Sequence, residues 1–299
     1  MQLVYSLAKQ GDNVYDTLAY LSAAAARRFH PDVKITVLTD EASLSCLNQW
    51  GKRIAEIVDD FRIIPLDEPS VVKRSRILKL SARKFVSGDF LYLDADAIPV
   101  RPFADIFDNP CEFGAVLESR DFFGRSSFHR ANIPVFTQMG WTYPAKYYFN
   151  GGVWLCRDTV NTQLFFQNWL DLWHKQTEQL NVFYDQPALS FLSSNANFPV
   201  AVLPDKYNVR PRDAGLIADA RIWHFITAKG QIRPQFILHS MVNQMNQTDC
   251  IDWSIWDAAI RRNSVWSDSV KFPKMRTLYY SCSSIIKRIL RTPGNNNTK

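Results

Sequence analysis

Short apolar runs alternate with amphipathic stretches through most of the chain. Residues 3–7 (Leu-Val-Tyr-Ser-Leu) predict a strand, and Gly11-Asp-Asn-Val-Tyr15 then supplies a turn and a helix start. The Ala/Leu-rich stretch 16–29 predicts a helix, 33–39 a second strand ending at Asp40-Glu41, and 61–64 a third. Residues 71–86 read as one helix crowded with Lys73, Arg74, Arg76, Lys79, Arg83 and Lys84. After the turn signal Ser87-Gly-Asp89, the unbroken apolar run 90–93 predicts a strand buried on both faces. Strand and helix in this rhythm predict an α/β fold with a mainly parallel mixed sheet.

The pattern changes after a further strand at 111–117. Residues 118–148, rich in Phe, Arg, Trp and Tyr, read as a long irregular stretch, and connections of that length are usually lids or binding loops. Trp141, Tyr143, Tyr147 and Tyr148 could line a groove there or simply pack. The run 149–155, Phe-Asn-Gly-Gly-Val-Trp-Leu, opens a strand with two glycines, which marks a close approach of backbone or ligand. An amphipathic helix over 160–173 follows, and Tyr184-Asp185-Gln186-Pro187 starts another, with Asp185 most simply its N-cap. The expected division is a catalytic domain over 1–240 and a helical extension with a basic tail over 241–299.

Charge is unevenly placed. Seven of the 35 Lys/Arg residues and none of the 29 Asp/Glu lie beyond residue 270, so 1–270 carries 28 basic against 29 acidic groups. A near-neutral body argues against a nucleic-acid partner. In the tail, Leu278, Cys282, Ile285, Ile286 and Ile289 recur at helical spacing beside Lys287, Arg288 and Arg291. That segment, 271–292, reads equally as an anchor on an anionic membrane surface or as a docked terminal helix. The five cysteines are scattered without C-x-x-C spacing, and the first residues lack a leader pattern. Both point to reduced thiols and a cytoplasmic protein, at most peripheral to a membrane.

Chemistry enters at Asp94-Ala-Asp96. If the strand before it continues, both carboxylates share a face and repel, and a divalent cation such as manganese or magnesium would offset the repulsion. A solvated Asp-rich turn is the plain alternative. No G-x-G-x-x-G follows the first strand and no G-x-x-x-x-G-K-S/T occurs, so any diphosphate would need a metal and side-chain cations.

The ordered set formed by Tyr15, the basic helix, Leu-Tyr-Leu-Asp94-Ala-Asp96, Phe-Asn150-Gly-Gly-Val, Asp185-Gln186 and His224-Phe with a downstream lysine resembles a GT-A fold glycosyltransferase over residues 1–235. Within that fold it is similar to glycosyltransferase family 8, the glycogenin and bacterial lipooligosaccharide galactosyltransferase group. The resemblance implies manganese (or magnesium) on Asp94, Asp96 and His224, and a nucleotide-sugar donor whose base meets Asn13 and Tyr15. Ser6, Ala95, and Arg76 or Lys79 would also border the donor; Asn150, Gly151 and Gly152 would flank its sugar. Asp185 and Gln186 would face the anomeric carbon, and Lys229 would grip the diphosphate. The acceptor would be a glycan or a glycolipid. One departure stands out: the family's H-F-x-G-x-x-K-P-W is here His224-Phe-Ile-Thr-Ala-Lys229-Gly-Gln-Ile-Arg-Pro234, with Thr227 at the glycine position, Lys229 one residue early and Arg233 as a second candidate.

The resemblance further implies transfer with retention of anomeric configuration. The acceptor would attack on the face the diphosphate leaves, with Gln186 lining the other face; a double displacement would need Asp185 as nucleophile. Two rival classes remain at this stage: a sugar nucleotidyltransferase, for which Ala8-Lys-Gln-Gly-Asp12 is a poor glycine-rich loop, and a degenerate, non-catalytic binding module.

Overall fold

The computed structural model describes residues 1–119, 127–144, 147–194, 199–227, 230–267 and 270. Strand β1 (Gln2–Leu7) leads through helix α1 (Tyr15–Phe29) to β2 (Lys34–Asp40), and the short α2 (Glu41–Leu44) and α3 (Gln49–Ile57) lead to β3 (Asp60–Ile64). Then come α4 (Val71–Leu80), α5 (Ala82–Phe85), β4 (Phe90–Leu93) and β5 (Ala97–Pro99). The predicted single helix over 71–86 is thus interrupted at Ser81, which ends α4 and precedes α5.

The second half holds β6 (Phe113–Ser119), α6 (Ser127–Met139), β7 (Tyr148–Cys156), α7 (Val160–Leu180) and α8 (Gln186–Leu192). It closes with β8 (Ala201–Leu203), β9 (Ile222–His224), α9 (Ile237–Thr248) and α10 (Trp253–Arg262). The stretch 118–148 is therefore not irregular throughout, because α6 crosses it. That helix carries Pro134 in its interior, a residue that argues against a helix in pattern reading.

Seven strands form one sheet in the order β3-β2-β1-β4-β7-β6-β8. Every pairing is parallel except the two made by β7, which runs against both β4 and β6. The expected mainly parallel α/β sheet is what the chain forms. Strand alternation feeds two cores. Leu3, Tyr5, Leu7, Leu91 and Leu93 pack with Leu18, Met241 and Trp256 on one face. Val4, Phe90 and Tyr92 pack with Leu78, Trp169 and Leu189 on the other. Helices α1, α9 and α10 cover the first face, and α4, α7 and α8 the second. No helix among the described residues is long and apolar enough to cross a membrane, and the basic segment 271–292 lies outside the described residues. The four described cysteines are free thiols.

Candidate active site

Ligand sites in such sheets lie beyond the carboxyl ends of the strands. At the end of β4 the chain does not stay extended, as the D-x-D reading supposed. It makes a tight turn in which the Ala97 N–H donates to the Asp94 carbonyl at 2.9 Å. The turn separates the two carboxylates, and their neighbours bring them back together.

Asp94 continues the face of Tyr92, so it meets α4. It accepts from the Tyr92 hydroxyl at 3.1 Å and from Lys79 Nζ at 3.1 Å. Asp96 turns the other way and accepts the backbone N–H and the hydroxyl of Thr227, at 2.6 and 2.9 Å. Beyond the turn, β5 pairs with β9 so that Ala97 lies opposite His224. This register carries the imidazole to the turn: His224 Nε2 is 3.3 Å from Asp96 Oδ1 and 3.9 Å from Asp94 Oδ2. One ligand atom from each of Asp94, Asp96 and His224 falls within 4.8 Å of the others.

The glycines of β7 make this approach possible. Asp94 donates its N–H to Gly152 O at 2.8 Å, which brings the middle of β7 against the turn. A Cβ on Gly152 would lie 2.2 Å from His224 Cε1 and 2.8 Å from Asp94 Oδ2. One on Gly151 would lie 2.9 Å from Asp185 Oδ2 and 3.2 Å from Lys79 Nζ. The strand is thus a bare floor on which two pairs of charged side chains rest. An Asp/Asp/His donor set with this convergence fits a divalent cation that takes oxygen and imidazole ligands.

Asp185 stands at the N-terminus of α8, yet its side chain makes no capping hydrogen bond. Its carboxylate turns inward to Lys79 Nζ at 2.8 Å, with Arg76 Nε at 3.9 Å. Lys79 is 2% exposed and therefore bridges Asp94 and Asp185 inside the protein. Burial alone would raise the Asp185 carboxyl, but Lys79 and Arg76 hold it below its ordinary value. In the same way His224 and Thr227 overcome burial and pull Asp96 down to about 2. The two aspartates in turn raise His224 against the effect of its own burial.

The basic helix thus divides its cations. Lys79 and Arg76 face the site, Arg74 pairs with Asp40 at 3.0 Å, and Arg83 binds the Gly88 carbonyl at 2.7 Å. Ser6 meets the Tyr92 hydroxyl at 2.6 Å, and Ala95 is buried within the turn. Asn13 spends its amide locally, accepting from the Tyr15 N–H at 3.2 Å and donating to Gln10 O at 2.9 Å. The Tyr15 hydroxyl reaches across the chain, donating to Thr227 O at 3.2 Å and accepting from the Gly230 N–H at 3.1 Å. Lys229 lies outside the described residues.

Several residues join the site without a motif to announce them. Glu118, at the end of β6, accepts from Asn150 Nδ2 at 2.5 Å and from Gln186 Nε2 at 3.3 Å. Arg210 pairs with the same carboxylate at 3.1 Å, and Asn208 bridges Asn150 and His224. Position at a strand's carboxyl end was a usable signal for Glu118; nothing in Asn208-Val-Arg-Pro was. Among the aromatics of 141–148, Trp141 stacks on Phe191 with centroids 4.8 Å apart and Tyr148 is buried, so both pack. Tyr143 is about half exposed.

By sequence, no family model and no curated protein matches the chain. Solved structures match its fold. The galactosyltransferase LgtC, solved with donor and acceptor sugar analogs, is 17% identical over 93% of this chain and 100% of its own, with a TM-score of 0.50. Mouse xyloside xylosyltransferase 1 in its apo form is 13% identical over 76% of this chain and 98% of its own, at 0.50. Apo GlyE from Streptococcus pneumoniae TIGR4 is 19% identical over 89% of this chain and 64% of its own, again at 0.50. The chain has the GT-A fold of glycosyltransferases.

Proposed function

We propose that the protein is a metal-dependent glycosyltransferase that moves a hexose from a nucleoside-diphosphate sugar, a UDP-sugar by its resemblance, to a glycan or glycolipid. One observation carries the reading: Asp94, Asp96 and His224 converge within 4.8 Å at the carboxyl edge of a GT-A sheet. The donor and acceptor analogs bound by LgtC, which shares the fold, support the same substrate classes.

Asp94, Asp96 and His224 would hold manganese, with magnesium the alternative. The bound cation supplies a Lewis acid for the leaving diphosphate. The remaining work falls to side chains. Lys79, itself buried, keeps the Asp94 and Asp185 carboxylates together, and a second cation, the part-exposed Arg76, stands beside them for the donor. Tyr15 and Asn13 flank the base, with Ser6 and Ala95 along the donor's path. Asn150, Gly151 and Gly152 border the sugar, and Lys229 or Arg233 would contact the diphosphate.

Transfer is proposed to retain configuration, the acceptor attacking on the face the diphosphate vacates while Gln186 lines the opposite face. Asp185 is engaged by Lys79 at 2.8 Å, which favours a positioning role over nucleophilic attack. The basic segment 271–292 would suit an acceptor presented at an anionic membrane. NMR assignment of the first-formed product as the inverted anomer would overturn retention.

The deciding experiment is thermal stability against a panel of nucleotide sugars, with and without manganese, in wild type and Asp96→Ala. Ligand at a hundredfold over Kd adds about 2.7 kcal/mol. A manganese-dependent shift with one donor, lost in the variant, is expected. No shift with any donor would overturn the reading in favour of a non-catalytic module, and pyrophosphate exchange would reassign it to nucleotidyl transfer.

A further inference from the structure

A neutral imidazole can carry its proton on either nitrogen, and only a nitrogen without the proton can bind a metal. His224 faces a difficulty in this respect. Its Nε2 lies 3.3 Å from Asp96 Oδ1 and 3.9 Å from Asp94 Oδ2, two acceptors that draw the proton to Nε2. A ring left to those neighbours would close the lone pair that the site needs.

The opposite side of the ring is held by a chain of amides: His224 Nδ1 to Asn208 Oδ1 at 2.9 Å, Asn208 Nδ2 to Asn150 Oδ1 at 2.9 Å, and Asn150 Nδ2 to Glu118 Oε2 at 2.5 Å. Either amide could be reversed in principle, so its direction must come from groups that have no choice. Two such groups are present. The backbone N–H of Gly152 can only donate, and it points at Asn150 Oδ1 at 2.8 Å. The Glu118 carboxylate, paired through its other oxygen with Arg210 at 3.1 Å and Arg212 at 3.2 Å, accepts.

These two ends fix Asn150 with its oxygen toward Asn208. Asn208 must then offer Nδ2 to that oxygen, which turns its own Oδ1 to His224. An amide oxygen accepts, so His224 Nδ1 must carry the hydrogen. Glu118, Asn150, Asn208 and His224 are all at most 4% exposed, so a reversed link would bury unpaired polar atoms.

We propose that Asn208 is a positioning residue: through Asn150, and oriented by Glu118 and the Gly152 N–H, it keeps the proton of neutral His224 on Nδ1 and leaves Nε2 open toward Asp94 and Asp96. The proposal rests on the metal-site reading of those three residues and adds the machinery that makes the histidine a ligand. It assigns roles to Glu118 and Asn208, which no motif marks.

The test reads the tautomer directly. Long-range 1H–15N spectra of histidine-labelled, metal-free protein are recorded on the alkaline side, where the ring is neutral, with His224→Ala to assign the signal. Wild type is expected to show Nδ1–H. Asn208→Leu removes the acceptor and is expected to move the proton to Nε2, with manganese binding, followed by EPR, weakened about ten- to hundredfold. Asn208→Asp still presents an oxygen to Nδ1–H, though it loses the donor to Asn150 Oδ1, and is expected to keep the wild-type tautomer.

A wild-type ring carrying its proton on Nε2 overturns the proposal, as does an Asn208→Leu ring that keeps it on Nδ1 or an Asn208→Asp ring that loses it. If Asn208→Leu does not fold, the wild-type and Asn208→Asp spectra decide alone. Manganese failing to bind wild type would count against the proposed function, while the tautomer, read without metal, still decides the relay.

Discussion

Thr227 donates both its N–H and its hydroxyl to one oxygen of Asp96, at 2.6 and 2.9 Å. This residue occupies the position where the resemblance expects glycine, and a glycine would supply the first of those bonds alone. The departure from the family pattern therefore adds a second hold on the carboxylate. It also leaves the other oxygen of Asp96 turned toward His224 at 3.3 Å.

Thr227→Val keeps the branched shape and removes the hydroxyl. A hydrogen bond to a charged group contributes about 1.5–3 kcal/mol, so manganese affinity should fall by about tenfold or more while the fold is retained. Calorimetric titration with manganese checks it, and unchanged affinity would show that the backbone bond alone orients Asp96.

Lys79 is the shared cation of two inward carboxylates, Asp94 at 3.1 Å and Asp185 at 2.8 Å. Lys79→Met leaves the buried Asp185 with only Arg76, at 3.9 Å, and should cost about 3 kcal/mol of stability. The double variant Lys79→Met/Asp185→Leu removes both members and should recover most of that loss. Urea unfolding of the two single variants and the double gives the coupling; simple additivity would argue that the pair is not a unit.

Gly152→Ala tests the floor of the site. Its Cβ would sit 2.2 Å from His224 Cε1 and 2.8 Å from Asp94 Oδ2, so two of the three candidate ligands must move. Manganese binding should be lost while far-UV circular dichroism stays native. Gly151→Ala meets Asp185 and Lys79 instead, and should disturb the ion pair with less effect on metal.

The pH dependence follows from the coupled Asp96–His224 pair. Asp96 is held down to about 2 in the fold, so its contribution to stability is present above its ordinary range and lost as pH falls from about 4 to about 2. Asp96→Asn should flatten that limb of the acid unfolding curve. His224 is raised, so its contribution is full below its ordinary value and lost as pH rises through the elevated one. Metal binding has the opposite sense: it needs the ring unprotonated, so affinity should climb with pH and release about one proton per ion on the acid side. Calorimetry in buffers of different ionisation enthalpy measures the proton directly.

The sheet was largely legible because its strands are continuous apolar runs punctuated by turns. Residues 90–93, buried on both faces, carry that signal most strongly. Asp94, Asp96 and His224 could be listed together through an ordered motif, but the contact that joins them is a register, Ala97 opposite His224, which sequence spacing does not encode. Asp185 stands at the N-cap position of α8, as its sequence context suggests, but its side chain does not cap, for a related reason. Local propensity favours capping, and the buried Lys79 with the part-buried Arg76 offers the carboxylate a stronger partner. Helix α6 was missed because an internal proline masked it. Asn208 was beyond reach, since an asparagine that matters for the direction of its amide looks in sequence like any other.

Because β7 runs against its neighbours, the site meets the body of a strand where a parallel arrangement would offer a loop. Asn150, Gly151 and Gly152 are held between Phe149, paired with Leu117 of β6, and Val153, paired with Leu93 of β4. The consequence is a division between a half tied to the sheet and a half outside it. Asp94, His224, Asp185 and Lys79 rest on backbone anchored to β6 at one end and β4 at the other. Helix α6 packs against α7 and α8 and supplies none of those side chains. A new acceptor could be accommodated by rewriting that helix, with the floor left where it is.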